Sequence, residues 1–187
     1  RIGSWGWSYG GFLTCRLASA NNSLIKATAA VAPVTDWRLY DSVYTERYMR
    51  DPDTNKEGYD ESSVLGRASQ VDGSTFHLVI HGTGDDNVHF QNSADWVTEL
   101  VANGVNNFHT MYYPDKAHSL SGLATRKHLY NLLANFFTTN LAVRRPPVQE
   151  STLFSSKMMS SSSSPHHHLS SSKRLPSPRL NQKYRDL

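Results

Sequence analysis

The chain has 187 residues, enough for one domain with a sizeable core, and no apolar run approaches the roughly 18 residues of a membrane span. Its net charge of +3 hides two parts: residues 1–142 carry 11 Lys+Arg against 14 Asp+Glu, and residues 143–187 carry 8 against 2. The basic balance therefore belongs to the tail and argues against a nucleic-acid partner for the rest, while the single cysteine, Cys15, excludes an internal disulfide.

Residues 1–5 have the make-up of a short strand, and residues 12–18 that of a helix. The opening on Arg1, inside an expected strand, points to a piece of a longer chain whose sheet continues upstream. Between the two elements stands Gly6-Trp7-Ser8-Tyr9-Gly10-Gly11, which reads G-x-S-x-G. Strand, sharp turn and helix form the context of a nucleophile elbow, which projects a serine hydroxyl clear of the backbone. Gly6, Gly10 and Gly11 are expected to remove Cβ atoms that would crowd such a turn. The Tyr9 amide, at the helix start, is placed to donate to an oxyanion. By itself the motif is weak, because an ordinary glycine-rich turn reads the same way.

Residues 27–34 form an apolar run expected to be a buried parallel strand. Residues 35–70 are polar and aromatic-rich, with short helices expected at 37–49 and 62–70. A second buried strand is expected at 76–80, a helix at 90–102 closed by Gly104, a strand at 108–113, and a long amphipathic helix at 125–141. Repeated βα order with short connections predicts an α/β fold, a parallel sheet flanked by helices. Arg144-Arg145-Pro146-Pro147 ends the last helix. Beyond it, residues 143–187 are rich in Ser, His and Arg and are read as a disordered tail. Its His166–His168 run is read as low complexity, not as a metal site.

A serine nucleophile needs a base, and the base needs an acid to fix its tautomer. In α/β-hydrolases the order is Ser, acid, His, each after a later strand. Asp85 and Asp86 follow the strand at 76–80, and His118 follows the strand at 108–113. Either aspartate could instead cap the next helix, and His118 could be a solvated loop residue. His81 and His89 are rival bases. They sit beside the acid rather than on the later loop, so they are read as structural.

Three blocks carry a specific resemblance: Gly6–Gly11, Tyr40–Met49 (YDSVYTERYM) and His81–Phe90 (HGTGDDNVHF). Together they resemble the catalytic domain of the dipeptidyl peptidase IV branch of the prolyl oligopeptidase family, over residues 1–141. The resemblance implies the C-terminal part of an α/β-hydrolase fold, with a β-propeller, a membrane anchor and the first sheet strands lying elsewhere. It assigns Ser8 as nucleophile, Asp85 as acid, His118 as base and the Tyr9 amide as one oxyanion donor. The second donor, a tyrosine hydroxyl, would lie upstream. It places Val34, Trp37, Tyr40, Tyr44 and Val88 around a pocket for proline or alanine, and Asn87 on the substrate carbonyl. It implies a serine peptidase that releases N-terminal dipeptides with Pro or Ala second, with no metal and no cofactor. The intact protein is expected to be a membrane-anchored homodimer with an extracellular catalytic domain.

Asp41 matches an extra carboxylate near the substrate's amino group and so points to strict dipeptidyl peptidase character. Its plainer reading is a cap on the helix that carries Tyr44. The cysteine pair of the family falls on Ala27 and near Asn140 here, so that bridge is absent as a unit. The residue after the histidine, usually glycine, is Ser119, expected to stiffen its loop. Alternative readings are a non-catalytic binding partner of a membrane protein, which the presence of Ser8 disfavours, and an esterase or acylaminoacyl-peptidase, which the Tyr40–Met49 block disfavours. The last is an inactive fragment.

Overall fold

Alternation along two inner strands sets the architecture. A computed structural model describes residues 1–142. The expected disordered tail, His166–His168 with it, lies outside the described residues. Four strands, β1 (Ile2–Trp7), β2 (Ile25–Val31), β3 (Phe76–Gly82) and β4 (Phe108–Tyr113), pair in parallel in the order β1-β2-β3-β4. In β2 and β3 successive side chains point to opposite faces. Ala30 and Val79 join one core cluster, with Phe12, Cys15, Trp37, Trp96 and Leu100. Ala29, Val31, Leu78 and Ile80 join the other, with Tyr113, Leu129, Leu133 and Phe136. Helices α1 (Tyr9–Ala18) and α4 (Gln91–Ala102) supply the first cluster, and α5 (Leu123–Leu141) the second. The α/β fold read from the sequence is the fold observed.

Several boundaries differ from expectation. The second strand starts at Ile25 and stops at Val31, because Ala32 turns to a φ of 43°. β3 runs on through His81 and Gly82, both buried. The expected helical region at 37–49 resolves into a 3-10 turn at Trp37–Leu39 and α2 (Ser42–Met49). A helix not foreseen, α3 (Lys56–Ser62), follows, and the expected helix at 62–70 is a 3-10 helix at Leu65–Gln70. α4 ends as expected, with Gly104 at a φ of 70° just past its cap.

A polar chain crosses the first core. His77 on β3 is fully buried. The indole N–H of Trp96 donates to its Nε2 at 3.0 Å, and its Nδ1 lies 2.8 Å from the Thr28 hydroxyl. An indole nitrogen can only donate, so Nε2 must accept and Nδ1 must carry the proton. Burial pushes this histidine down to about 4. The unfolded value is ~6.5. His77 therefore contributes stability that is complete above ~6.5 and is lost as pH falls toward 4. That loss is on the order of 3 kcal/mol over the interval. Urea unfolding of the wild-type protein should lose about that much between pH 6.5 and 4, and His77→Gln should lose much less. An equal pH dependence in the two would show that the buried imidazole does not govern acid stability.

Candidate active site

Ser8 is the residue between β1 and α1, and its backbone is strained, with φ 60° and ψ −118°. A non-glycine residue with positive φ persists only where its surroundings hold it. Here the Ser8 amide donates to Val31 O at 2.8 Å, and Ser8 O accepts from the Phe12 amide at 3.0 Å. A Cβ on Gly6 would collide with the backbone carbonyl of Gly10, and one on Gly11 would come within 2.9 Å of Val31 O and of Pro33. The role expected for Gly10 is corrected: a Cβ there would meet nothing within 4 Å. What Gly10 contributes is the carbonyl that excludes a side chain at Gly6. The Tyr9 amide belongs to the first turn of α1, where N–H groups lack intrahelical acceptors.

The loop after β3 carries Asp85, whose side chain is fully buried, while Asp86 is exposed. Its Oδ1 accepts from the amides of Asn87 and Val88, each at 3.0 Å. Its Oδ2 accepts from His118 Nδ1 at 2.8 Å. Burial works to raise the carboxyl, but the hydrogen bonds from His118 and His81, and that from the Asn87 amide, hold it well below the usual carboxylate range. The helix-cap reading of Asp85 fails, because α4 begins after Phe90 with no side-chain cap. His89 is exposed and is not placed on the carboxylate.

The loop after β4 brings His118 to this acid. The loops are stitched together by Thr83 N to Tyr113 O at 3.0 Å, Asp115 N to Thr83 Oγ1 at 2.9 Å, and Gly84 N to Lys116 O at 3.2 Å. Trp7, inside the elbow motif, donates its indole N–H to His118 O at 3.0 Å. Sequence reasoning missed this tie between the nucleophile turn and the base loop. The available signal was an indole donor beside the serine. Ser119 does not sit at positive φ, so serine suits the position that resembled a glycine.

A carboxylate only accepts, so His118 Nδ1 carries its proton and Nε2 is the nitrogen left with a lone pair. The Ser8 hydroxyl, on the adjoining turn, makes no hydrogen bond among the described residues, which leaves it available to a base. Among these residues no group of three or more His, Cys, Asp or Glu could hold a metal ion.

An aromatic cluster adjoins the elbow. Tyr9 and Trp37 stand 5.4 Å apart between ring centres, Trp37 and Tyr44 stack at 6.2 Å, and Tyr40 meets Tyr44 edge-on at 5.5 Å. A cavity of about 560 Å³ is lined by Trp37 and Tyr44 from the expected set, and by Tyr9, Phe12, Tyr48 and Met49, which sequence reasoning did not select for the pocket. Val34, Tyr40, Asn87 and Val88 are not part of its lining. Val34 and Val88 are core residues, with Tyr40 packed against their cluster. The Tyr40 hydroxyl donates to Asn87 Oδ1 at 3.1 Å, which leaves the Asn87 NH₂ free to donate elsewhere. Asp41 is the N-cap of α2, accepting from the Tyr44 amide at 3.0 Å.

The sequence profile of the prolyl oligopeptidase family matches residues 1–144. A probable dipeptidyl-aminopeptidase B of Coccidioides posadasii is 40% identical over 158 residues, which cover 82% of this chain and 17% of that protein. Dipeptidyl peptidase 4 of Bos taurus is 44% identical over 138 residues, 73% of this chain and 18% of that protein. The crystal structure of Porphyromonas gingivalis dipeptidyl peptidase 4 superimposes with a TM-score of 0.71 at 48% identity, covering 75% of this chain and 20% of the other. The chain thus spans about a fifth or less of the length of these relatives.

The elbow geometry yields a contrast between two neighbouring glycines. Gly6→Ala must displace α1 from β1, at a cost of about 3 kcal/mol or more. Gly10→Ala meets open space in a helix and should stabilise by up to ~1 kcal/mol. Thermal unfolding of the two variants checks this. Similar shifts in both would mean that the close approach of Gly6 to Gly10 does not govern the turn.

Proposed function

The chain belongs to the prolyl oligopeptidase family, and from that premise we propose that it supplies the catalytic centre of a serine dipeptidyl peptidase. The observation that carries the reading is the short bond from His118 Nδ1 to buried Asp85, beside a serine on a strained elbow. Asp85 keeps His118 in the tautomer whose Nε2 can accept a proton. Nε2 takes the Ser8 proton as Oγ attacks the substrate carbonyl, and the Tyr9 amide donates to the oxygen that becomes negative. His118 then protonates the leaving amine, and an acyl-enzyme remains. Water, deprotonated by the same nitrogen, releases the acid and restores Ser8.

The pocket supports a small, flat residue at the cleaved bond. Faces of Tyr9, Trp37 and Tyr44 suit a pyrrolidine ring, which brings little conformational entropy to lose. On this basis we assign proline or alanine to the second substrate position. Val34 and Val88 shape the site from the core, and Tyr40 orients Asn87 so that its NH₂ can meet a substrate carbonyl. No helix among the described residues is long and apolar enough to cross a membrane. The membrane anchor implied by the resemblance is assigned to another segment of the intact protein, for which a homodimer is proposed.

Fluorophosphonate labelling of the intact protein tests the core of this reading. Ser8→Ala should abolish labelling and Cys15→Ala should not, since Cys15 is buried and its thiol is pushed far up by desolvation. Asp85→Asn should cost several orders of magnitude in Gly-Pro turnover, and Asp86→Asn far less. Labelling that survives Ser8→Ala refutes the assignment.

Exopeptidase character turns on separating the two roles of Asp41. Asparagine caps helices about as well as aspartate, so Asp41→Asn removes the charge and keeps the cap. If the charge favours a substrate ammonium group, Asp41→Asn should lower the preference for Gly-Pro over N-acetyl-Gly-Pro several-fold. If only Asp41→Ala changes the ratio, Asp41 acts as a cap alone.

A further inference from the structure

The sequence makes His81 a structural residue, and its surroundings give it a more definite task. It is fully buried on β3, four residues before Asp85. Its Nε2 lies 2.8 Å from Val88 O and 3.2 Å from Asp85 Oδ2. Its Nδ1 lies 2.7 Å from the hydroxyl of Ser93, itself fully buried on α4. A backbone carbonyl and a carboxylate both only accept. Nε2 must therefore carry a proton, donated to Val88 O with Asp85 Oδ2 beside it at 3.2 Å, while the Ser93 hydroxyl donates to Nδ1. Oδ2 is the same oxygen that receives His118 Nδ1. One carboxylate oxygen thus stands between two imidazoles, one facing the site and one facing the core.

We propose that His81 is a positioning residue for the proposed reaction: with its proton fixed on Nε2 by Val88 O and its far side seated by Ser93, it holds the Asp85 carboxylate against His118 from the core side. This rests on the serine-peptidase reading above. The reason is chemical. The amides of Asn87 and Val88 fix Oδ1, and a polar group fixed in the strand backs Oδ2 from the core side, so that its direction toward the base does not rest on His118 alone. Val88 contributes twice, since its amide donates to Oδ1 and its carbonyl fixes the His81 proton.

The other titratable groups around the couple are Asp86 and His89 on the acid loop, Asp115 and Lys116 on the base loop, and Tyr40, whose hydroxyl is raised by burial first and then by Asp41, Tyr44 and Asp85. The variants below leave all of these unchanged.

The test is the rate of fluorophosphonate labelling of Ser8 in the intact protein, measured across pH. His81→Leu deletes the donor. The maximal labelling rate should fall roughly tenfold at unchanged probe affinity. His81→Gln returns an N–H donor near the same place and should recover most of the loss. Ser93→Ala keeps the ring and its tautomer but removes the hydroxyl that seats Nδ1, and should lower the rate by less than His81→Leu. If His81→Leu does not fold, Ser93→Ala against His81→Gln decides. A wild-type labelling rate in both His81→Leu and Ser93→Ala overturns the proposal. So does an equal loss of rate in His81→Leu and His81→Gln, which is what a packing role alone would give. A wild-type protein that fails to label sinks the serine-peptidase reading with it. One that labels, with variants that label at the wild-type rate, sinks this inference alone.

Discussion

A buried carboxylate has to be surrounded by donors, and much of the site exists to surround Asp85. An ionised group removed from water is unstable unless N–H groups replace its hydration. Asp85 meets this with two backbone amides on one oxygen and two imidazoles at the other. The amides come from a turn that the carboxylate itself organises. One imidazole comes from β3 and the other from the loop after β4. Each donor therefore ties a different segment to a single point. The acid loop and base loop also share backbone bonds across Thr83, Gly84, Asp115 and Lys116, so the distance between acid and base is fixed by the sheet rather than by loop flexibility.

The second constraint is steric. Ser8 can hold its strained backbone only if β1, α1 and the end of β2 approach closely. That approach needs hydrogen side chains at Gly6 and Gly11. The same closeness brings Trp37, just past β2, against Tyr9 and Phe12 of α1. Strain at the nucleophile and the aromatic cluster beside it follow from one packing decision. The indole of Trp7 then links the elbow to the His118 carbonyl, so the nucleophile turn and the base loop share a fixed reference.

Much of this was legible in the sequence because the signals were local or periodic. The strand at 108–113 and the helix near 90–102 declare themselves by apolar spacing, and G-x-S-x-G declares the elbow. The order of Ser8, Asp85 and His118, after β1, β3 and β4, could be read once those strands were placed. α3 could not. Lys56-Glu57-Gly58-Tyr59-Asp60-Glu61-Ser62 has a glycine and one apolar residue, so no helical period appears. It forms because Asn55 caps it and because Tyr59, nearly wholly buried, fixes it to the core and donates to Arg50 O. The polar roles of His77, His81 and Trp7 were illegible for a related reason. Each depends on a partner from another element, and a single chain read in order gives no register between β3 and α4.

That register decides more than packing. His77, Val79 and His81 alternate along β3 and share a face. α4 answers with Trp96 and Ser93, three residues apart and so neighbours on one helix face. Trp96 can only donate, which forces the proton of His77 onto Nδ1. Val88 O can only accept, which forces the proton of His81 onto Nε2. Two histidines four residues apart on one strand thus carry opposite tautomers, each dictated by a group that has no alternative role. Sliding α4 by a turn would break both bonds and leave buried polar atoms unpaired, at a cost of about 1–3 kcal/mol for each atom. The seating of α4 is therefore specified by polar chemistry as well as by the apolar contacts of Trp96 and Leu100. Because residues 83–90 span only the gap between β3 and α4, specifying that seating also fixes both ends of the loop that carries Asp85.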